Sequence, residues 1–380
     1  ENYSANQMAL VVLSNETLDE MQPWVTETFL PIKNRRLEVS KINKPIFTAG
    51  QLPAKLVFDN IKDEHRVGYA FPMPSIQTYY RKKPVQYISN LLGHEGDGSL
   101  HALLNEKGWI KGLSAGESEM DEGNSVMSVN ISLTEAGSAH VDEISAYLFA
   151  YLDLLKDGPI EEWIYQEQAT VALLAFRFSE KSSAMNAVRS IAPALQHYPA
   201  EDLLVAPYLM EEFDASLIRS FLTLLTRDNV LMTLSSPGYK GQSTEEWFGV
   251  SYDLELGEIS VATVDSGSLE LPDANPFLPE LLDLTQGDSL GPMPVIVDKG
   301  LELYMDTDLE FNVPRAVIHV SLRNDGGFIA LADAAQSQLY SMLVQDDLNA
   351  LAYPALLAGV SYQIAAPPRG FRVSVGGYND

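Results

Sequence analysis

Apolar residues recur at every second position from Ser125 to Leu133 and at every third or fourth from Val141 to Leu155. The two periods predict a half-buried strand and an amphipathic helix. Gln7–Leu13 (QMALVVL) is a short valine-rich run that predicts a buried strand. A helix capped by Ser14 or Asn15 follows, with Leu18, Met21, Val25 and Phe29 on one face and a kink at Pro23. Leu56–Phe58 and Arg66–Phe71 predict strands, the second stopped by Pro72 and Pro74. Pro84 opens a helix to Leu92, a short helix follows Ser99, and Trp109–Ala115 is a strand. Helical spacing then runs over Thr134–Lys156, from Pro159 towards Phe178, and over Ser182–Leu195, Ala200–Leu204 and Ala215–Thr226, before a closing strand at Asn229–Ser235. Glu302–Met305 and Arg315–Leu322 read as strands, and a helix from Ile329 to Ala358 is bent or divided at Pro354. This order predicts an α+β fold: a largely antiparallel sheet with helices packed on one face.

The end of the chain echoes an earlier stretch. LAGVSYQIAAPPRGFRVSVGGYN repeats the layout of KGWIKGLSAGESEMDEGNSVMSVNISL: a helix ending near a glycine, a strand, a turn and an alternating strand. The echo predicts a duplicated domain whose second copy is cut short. One strand and one helix cannot enclose a core, so residues 1–35 are expected to end a preceding domain. Lys33–Pro53, with Pro31 just before it and Pro45 and Pro53 along it, reads as a linker. The next domain is expected over 36–255, followed over 256–380 by a connection and the beginning of a third. The opening at Glu1, close to a strand-like run, gives the expectation of a piece excised from a longer polypeptide.

Composition narrows the classes of partner. Fifty-two acidic against 25 basic residues give the 380-residue chain a net charge of −27, which disfavours nucleic acid and anionic lipid; such a surface would draw in cationic peptides, and a merely solvated surface is the plainer reading. No apolar run is long enough for a membrane span. The absence of cysteine excludes disulfides, thiolate-bound zinc and a thiol nucleophile.

The densest chemistry lies in Leu91–Leu133. His94-Glu95 is followed by His101 seven residues on, but neither His-x-x-Glu-His nor His-Glu-x-x-His occurs and no third ligand follows at metal-site spacing. A hydrogen-bonded loop histidine is the plainer reading, and no metal is expected in this chain. Gly93, Gly96 and Gly98 precede Ser99 as a phosphate loop would, yet a helix rather than a strand leads in, and Glu95 and Asp97 would repel phosphate. A helix–turn–helix corner with Ser99 as N-cap fits better. A third possibility stays open: bare backbone at the glycines approached by a bound peptide.

The segments GHEGDGSLHALLNEKGWIKGLSAG, VNISLTEAGSAHVDEI, EEWIYQEQATVALLAFRF, HYPAEDLLVAPYLMEEF, TEEWFGVSYD and AGVSYQIAAPPRGFRVSVGGYND together resemble the insulinase/pitrilysin family of zinc metallopeptidases. The resemblance runs from about Asn2 to Asp380 and is strongest to the large single-chain branch. It implies four homologous α+β domains enclosing a chamber, with the catalytic zinc in the first domain and outside this chain. It further implies an endopeptidase parent, with this portion inactive alone and partnered by peptide substrates and by the other domains of the same polypeptide. The substrate-anchoring positions it implies are Gly93, His94, Gly96 and Gly98, with Leu113, Ser114, Ala115 and Gly116. Asp97 departs from the family loop, where proline is common. The alternative is a scaffold or partner subunit of the same superfamily without peptidase activity. The lack of cysteine fits a bacterial periplasmic member and does not assign the compartment.

Overall fold

The computed structural model describes residues 3–38, 42, 44–284, 291–308, 313–324 and 330–380. The chain forms two compact units, one of residues 1–94 and 98–272 and the other of residues 95–97 and 273–380.

The first unit contains α1 (Leu18–Phe29), β1 (Ala54–Asp59), β2 (His65–Pro74), α2 (Pro84–Leu92), α3 (Leu100–Glu106), β3 (Ile110–Glu119) and β4 (Asn124–Leu133). It continues with α4 (Glu135–Ser138), α5 (Val141–Asp157), α6 (Glu162–Arg177), α7 (Ala184–Ala194), α8 (Ala215–Leu222), β5 (Leu231–Ser236), β6 (Ser243–Thr244) and β7 (Ser251–Leu256). The seven strands form one sheet in the order β3-β4-β2-β5-β1-β7-β6. Every ladder is antiparallel except β1 with β5. The architecture is the α+β one that the order of elements predicts.

Alternation along the strands decides which face is covered. Ser125, Met127, Val129, Ile131 and Leu133 of β4 are buried, and so are Val67, Tyr69, Phe71 and Met73 of β2. Onto them α5 turns Ile144, Leu148, Tyr151, Leu152 and Leu155. Phe149 meets Tyr69 and Phe71 edge to face at 6.3 and 6.4 Å, and the buried Tyr69 hydroxyl pairs with Ser145 Oγ at 2.7 Å. Each apolar side chain so buried contributes about 1.5–3 kcal/mol, and the hydroxyl pair leaves neither oxygen unsatisfied. The opposite face carries small and polar residues such as Gly68, Ser114, Asn130 and Thr233. Beyond β7, residues 257–272 run along the first unit and bury Ile259 and Leu269 in its core.

Several boundaries differ from the sequence expectations. Gln7–Leu13 is not a strand: a single 3-10 turn at Ala5–Gln7 is followed by irregular backbone, because no described strand lies alongside to pair with it. The cap of α1 is Thr17 rather than Ser14 or Asn15. Its hydroxyl accepts from Glu20 N–H while Thr17 N–H donates to Glu20 Oε2, so the carboxylate three residues on selects it. Strand β2 runs through both prolines to Pro74. Pairing with β5 ends at Ala70, so Pro72 and Pro74 have β4 alone as a neighbour and proline is tolerated there. The helix expected from Thr134 breaks at Ala139–His140, where His140 stacks on Trp109 at 4.3 Å and pins the first turn to the start of β3. Residues 200–204 form successive turns rather than a helix.

The second unit contains β8 (Met293–Asp298), β9 (Leu301–Met305), β10 (Arg315–Arg323), α9 (Leu331–Asp347), α10 (Asn349–Leu357), β11 (Ser361–Ala365) and β12 (Gly370–Tyr378). Strands β8 and β9 form a hairpin, and the other three form a sheet in the order β10-β12-β11. The helix expected over Ile329–Ala358 is divided at Leu348, not at Pro354, which lies inside α10; Ile329 itself lies outside the described residues. Pro354 sits in the second turn of α10, where its ring crowds only the carbonyl of Ala350 in the first turn, so the helix accommodates it.

The sequence echo is also a geometric one. Helices α3 and α10 end on Gly108 (φ +68°) and Gly359 (φ +84°). In each, the residue after the glycine donates back to the sixth-last position of the turn: Trp109 N–H to Leu104 O at 3.1 Å, and Val360 N–H to Ala355 O at 2.9 Å. This left-handed helix stop launches an antiparallel strand pair both times, β3–β4 and β11–β12.

Candidate functional site

The sequence places its candidates in a glycine corner and a strand, and the fold joins the two. Strand β3 ends the sheet, with β4 as its one strand neighbour among the described residues. Leu113, Ser114, Ala115 and Gly116 pair with Ile131, Asn130, Val129 and Ser128. The other edge of β3 therefore presents alternating main-chain N–H and C=O groups with no strand against them.

Helix α2 lies beside that strand. Pro84 opens it without sacrificing a hydrogen bond, and it stops at Gly93, whose N–H donates to Ser89 O at 2.9 Å. A Cβ at 93 would stand 3.2 Å from Ser89 O, 3.6 Å from the Ala115 amide nitrogen and 3.7 Å from Ala115 Cβ. The Ser89 carbonyl is the tight contact, while the Ala115 atoms would stand at ordinary van der Waals distance, which places the end of α2 directly beside Ala115 of β3. Further along, Ser89 Oγ donates to Glu117 Oε2 at 3.1 Å, a second tie between helix and strand.

The other corner residues separate. His94 is buried directly after Gly93, its N–H donating to Leu91 O at 3.3 Å. Gly96 is buried and groups with the second unit. Gly98 has φ +76° and accepts from Glu270 N–H at 2.9 Å; a Cβ there would come within 3.1 Å of Glu270 Cβ. Its bare backbone accommodates the 257–272 segment rather than β3. Ser99 caps α3 as the spacing predicts, accepting from Ala102 N–H at 3.1 Å. Along β3, Leu113 and Ala115 point to the helix side of the sheet and Ser114 and Gly116 to the other.

His101 is buried on α3, and among the described residues no group of three or more His, Asp or Glu is placed to hold a metal ion.

The strand extends four residues beyond its expected end at Ala115, so residues 116–119 also belong to it. Glu117 and Glu119 continue the phase of Leu113 and Ala115; that period of two was the one signal in the sequence that could have extended the strand to them, and the expectation ended at Ala115. Both border a cavity of about 230 Å³ between β3, the start of α2 and Tyr198. Beside it, the Asp202 carboxylate accepts from the Tyr80 hydroxyl at 2.6 Å and from Arg81 Nη2 at 2.5 Å. These two bonds, the tyrosine first, hold its carboxyl below the usual range.

Comparison with known proteins agrees with this architecture. The model of the peptidase M16 inactive domain matches residues 1–171, and that of the middle or third domain of peptidase M16 matches residues 176–380. The junction between the two matches falls inside α6, so it is not a boundary of the fold. Human (Homo sapiens) insulin-degrading enzyme is 34% identical over 391 residues, covering 100% of this chain and 38% of that protein. The peroxisomal insulin-degrading enzyme-like 1 of Arabidopsis thaliana is 32% identical over 391 residues, covering 100% of this chain and 40% of its own length. The chain thus spans about two fifths of the length of these relatives. The crystal structure of pitrilysin superposes with a TM-score of 0.80 at 23% identity, covering 97% of this chain and 40% of that one, and shows the same fold. Matched by its family models along both segments, the chain belongs to the M16 peptidases, the insulinase and pitrilysin metallopeptidases.

Proposed function

We propose that this chain is the non-catalytic, peptide-anchoring portion of a zinc-dependent endopeptidase, with the metal site outside these residues. Extended peptides add to the free edge of β3 beside the Gly93 corner. Residues 1–35 end a first domain, 36–255 form the second, and 256–380 carry a connection and the start of a third; the anchor belongs to the second. The observation that carries the reading is the terminal position of β3 in the sheet, with Gly93 beside Ala115. Pairing through main-chain groups gives affinity for any extended peptide, and side-chain preference is left to whatever lies beside the strand. Of the positions implied by resemblance, Leu113, Ser114, Ala115 and Gly116 supply the edge and Gly93 the space beside it. Within the first unit His94 follows Gly93 at the helix end, and Gly98 faces the 257–272 segment.

Hydrogen exchange tests this directly. Adding an extended peptide should slow exchange at alternate amides between Gly112 and Glu119 and leave β7 unaffected. Protection that is absent from β3, or that spreads evenly over the sheet, would refute edge docking. The same preparation should hydrolyse no peptide and retain no stoichiometric zinc after dialysis; one tightly held zinc per chain would overturn the non-catalytic assignment.

A further inference from the structure

The cavity at the end of β3 is bordered by two carboxylates. Glu117 and Glu119 are two residues apart, so both point to the helix side of the sheet, where they line the cavity together with Lys83, Ile76, Tyr80 and Tyr198. Among the described residues neither carboxylate forms an ion pair. Lys83 has a left-handed backbone (φ +41°), and its ammonium donates to the Pro207 carbonyl. Burial lowers the pKa of that ammonium, opposed by the nearby Glu117. Two carboxylates against one lysine leave the cavity with an excess of negative charge, and its tyrosines offer ring faces.

A peptide strand paired with β3 sends alternate side chains to the same side as Glu117 and Glu119, with opposed Cβ atoms about 5 Å apart. A long side chain leaving that strand reaches the cavity, its stem on Ile76 and its head between the carboxylates. We propose that this cavity is a subsite for an arginine side chain of the anchored peptide. The planar guanidinium provides five donors for two carboxylates and stacks on tyrosine, which a neutral or compact head group does not. The assignment rests on edge docking at β3 and adds a specificity to it.

The test uses the full 380-residue chain and two otherwise uncharged extended peptides, identical except that one carries arginine where the other carries its neutral isostere citrulline. The arginine peptide should bind about tenfold more tightly, as loss of a charge-assisted contact predicts. The difference should vanish in E117Q/E119Q, which keeps the shape and the Ser89 contact. If both peptides protect β3 from exchange yet bind equally, or if the double variant keeps the difference, the subsite assignment is wrong while edge docking stands. If neither peptide protects β3, edge docking fails and the subsite falls with it.

Discussion

Phe149 illustrates what single residues carry in the first unit. It is 2% exposed, and its ring is held between Tyr69 and Phe71. Phe149→Ala should cost about 3–5 kcal/mol, measured by urea unfolding, because a rigid sheet face cannot collapse into the space. The helical stripe of Val141, Ile144, Leu148, Tyr151 and Leu155 gave the buried face of α5, but Phe149 lies one residue beside that stripe, and its burial follows from the sheet residues it meets. Gly98 was legible only as a glycine. Its φ of +76° and its contact with Glu270 depend on a segment some 170 residues later, which no local pattern reveals. Gly98→Ala should destabilise by roughly 1–2 kcal/mol through the left-handed backbone alone, and should raise exchange at residues 257–272. Unchanged exchange there would show that the segment does not depend on the glycine.

At the scale of elements, the sequence was most legible where one period dominated, as in α2 and β4, whose structural limits lie within a residue of expectation. It failed where tertiary neighbours decide: Pro72 and Pro74 are allowed by the loss of β5 alongside, and β3 runs on to Glu119 because β4 pairs with it that far. Capping shows the same dependence on chemistry finer than hydrophobic period. Asp214 caps α8, accepting from Leu217 N–H at 3.0 Å, and its carboxyl is lowered to about 2, first by Ser216, then by Leu217 N–H and Lys82. A carboxyl depressed in the fold stabilises it above its unfolded value and ceases to do so as pH falls through the folded one. The α8 cap should therefore hold at pH 5 and be lost between about pH 4 and pH 2. A carbon-detected titration of Asp214 checks this. A midpoint at the ordinary carboxylate value would refute the cap's contribution, and Asp214→Asn should flatten the acid dependence of the α8 amides.

Across the whole molecule, charge acts where no single contact does. The chain carries a net charge of −27, and family membership leaves open which peptides such a surface favours. An acidic surface speeds the approach of cationic ligands through long-range attraction, and salt screens that attraction over a Debye length of about 10 Å at 0.1 M. Contacts inside a partly enclosed cavity are screened far less. Association and dissociation of an arginine peptide should therefore respond differently to salt. Between roughly 0.02 and 0.5 M salt the association rate should fall about tenfold or more, while the dissociation rate changes little. The citrulline peptide should show a small effect on both rates. E117Q/E119Q removes two of 52 acidic residues, so it should keep most of the salt-dependent association and lose the slow dissociation. Stopped-flow measurements at several salt concentrations separate the two contributions. If the double variant instead abolished the salt dependence of association, the attraction would reside in those two carboxylates and not in the charge of the molecule.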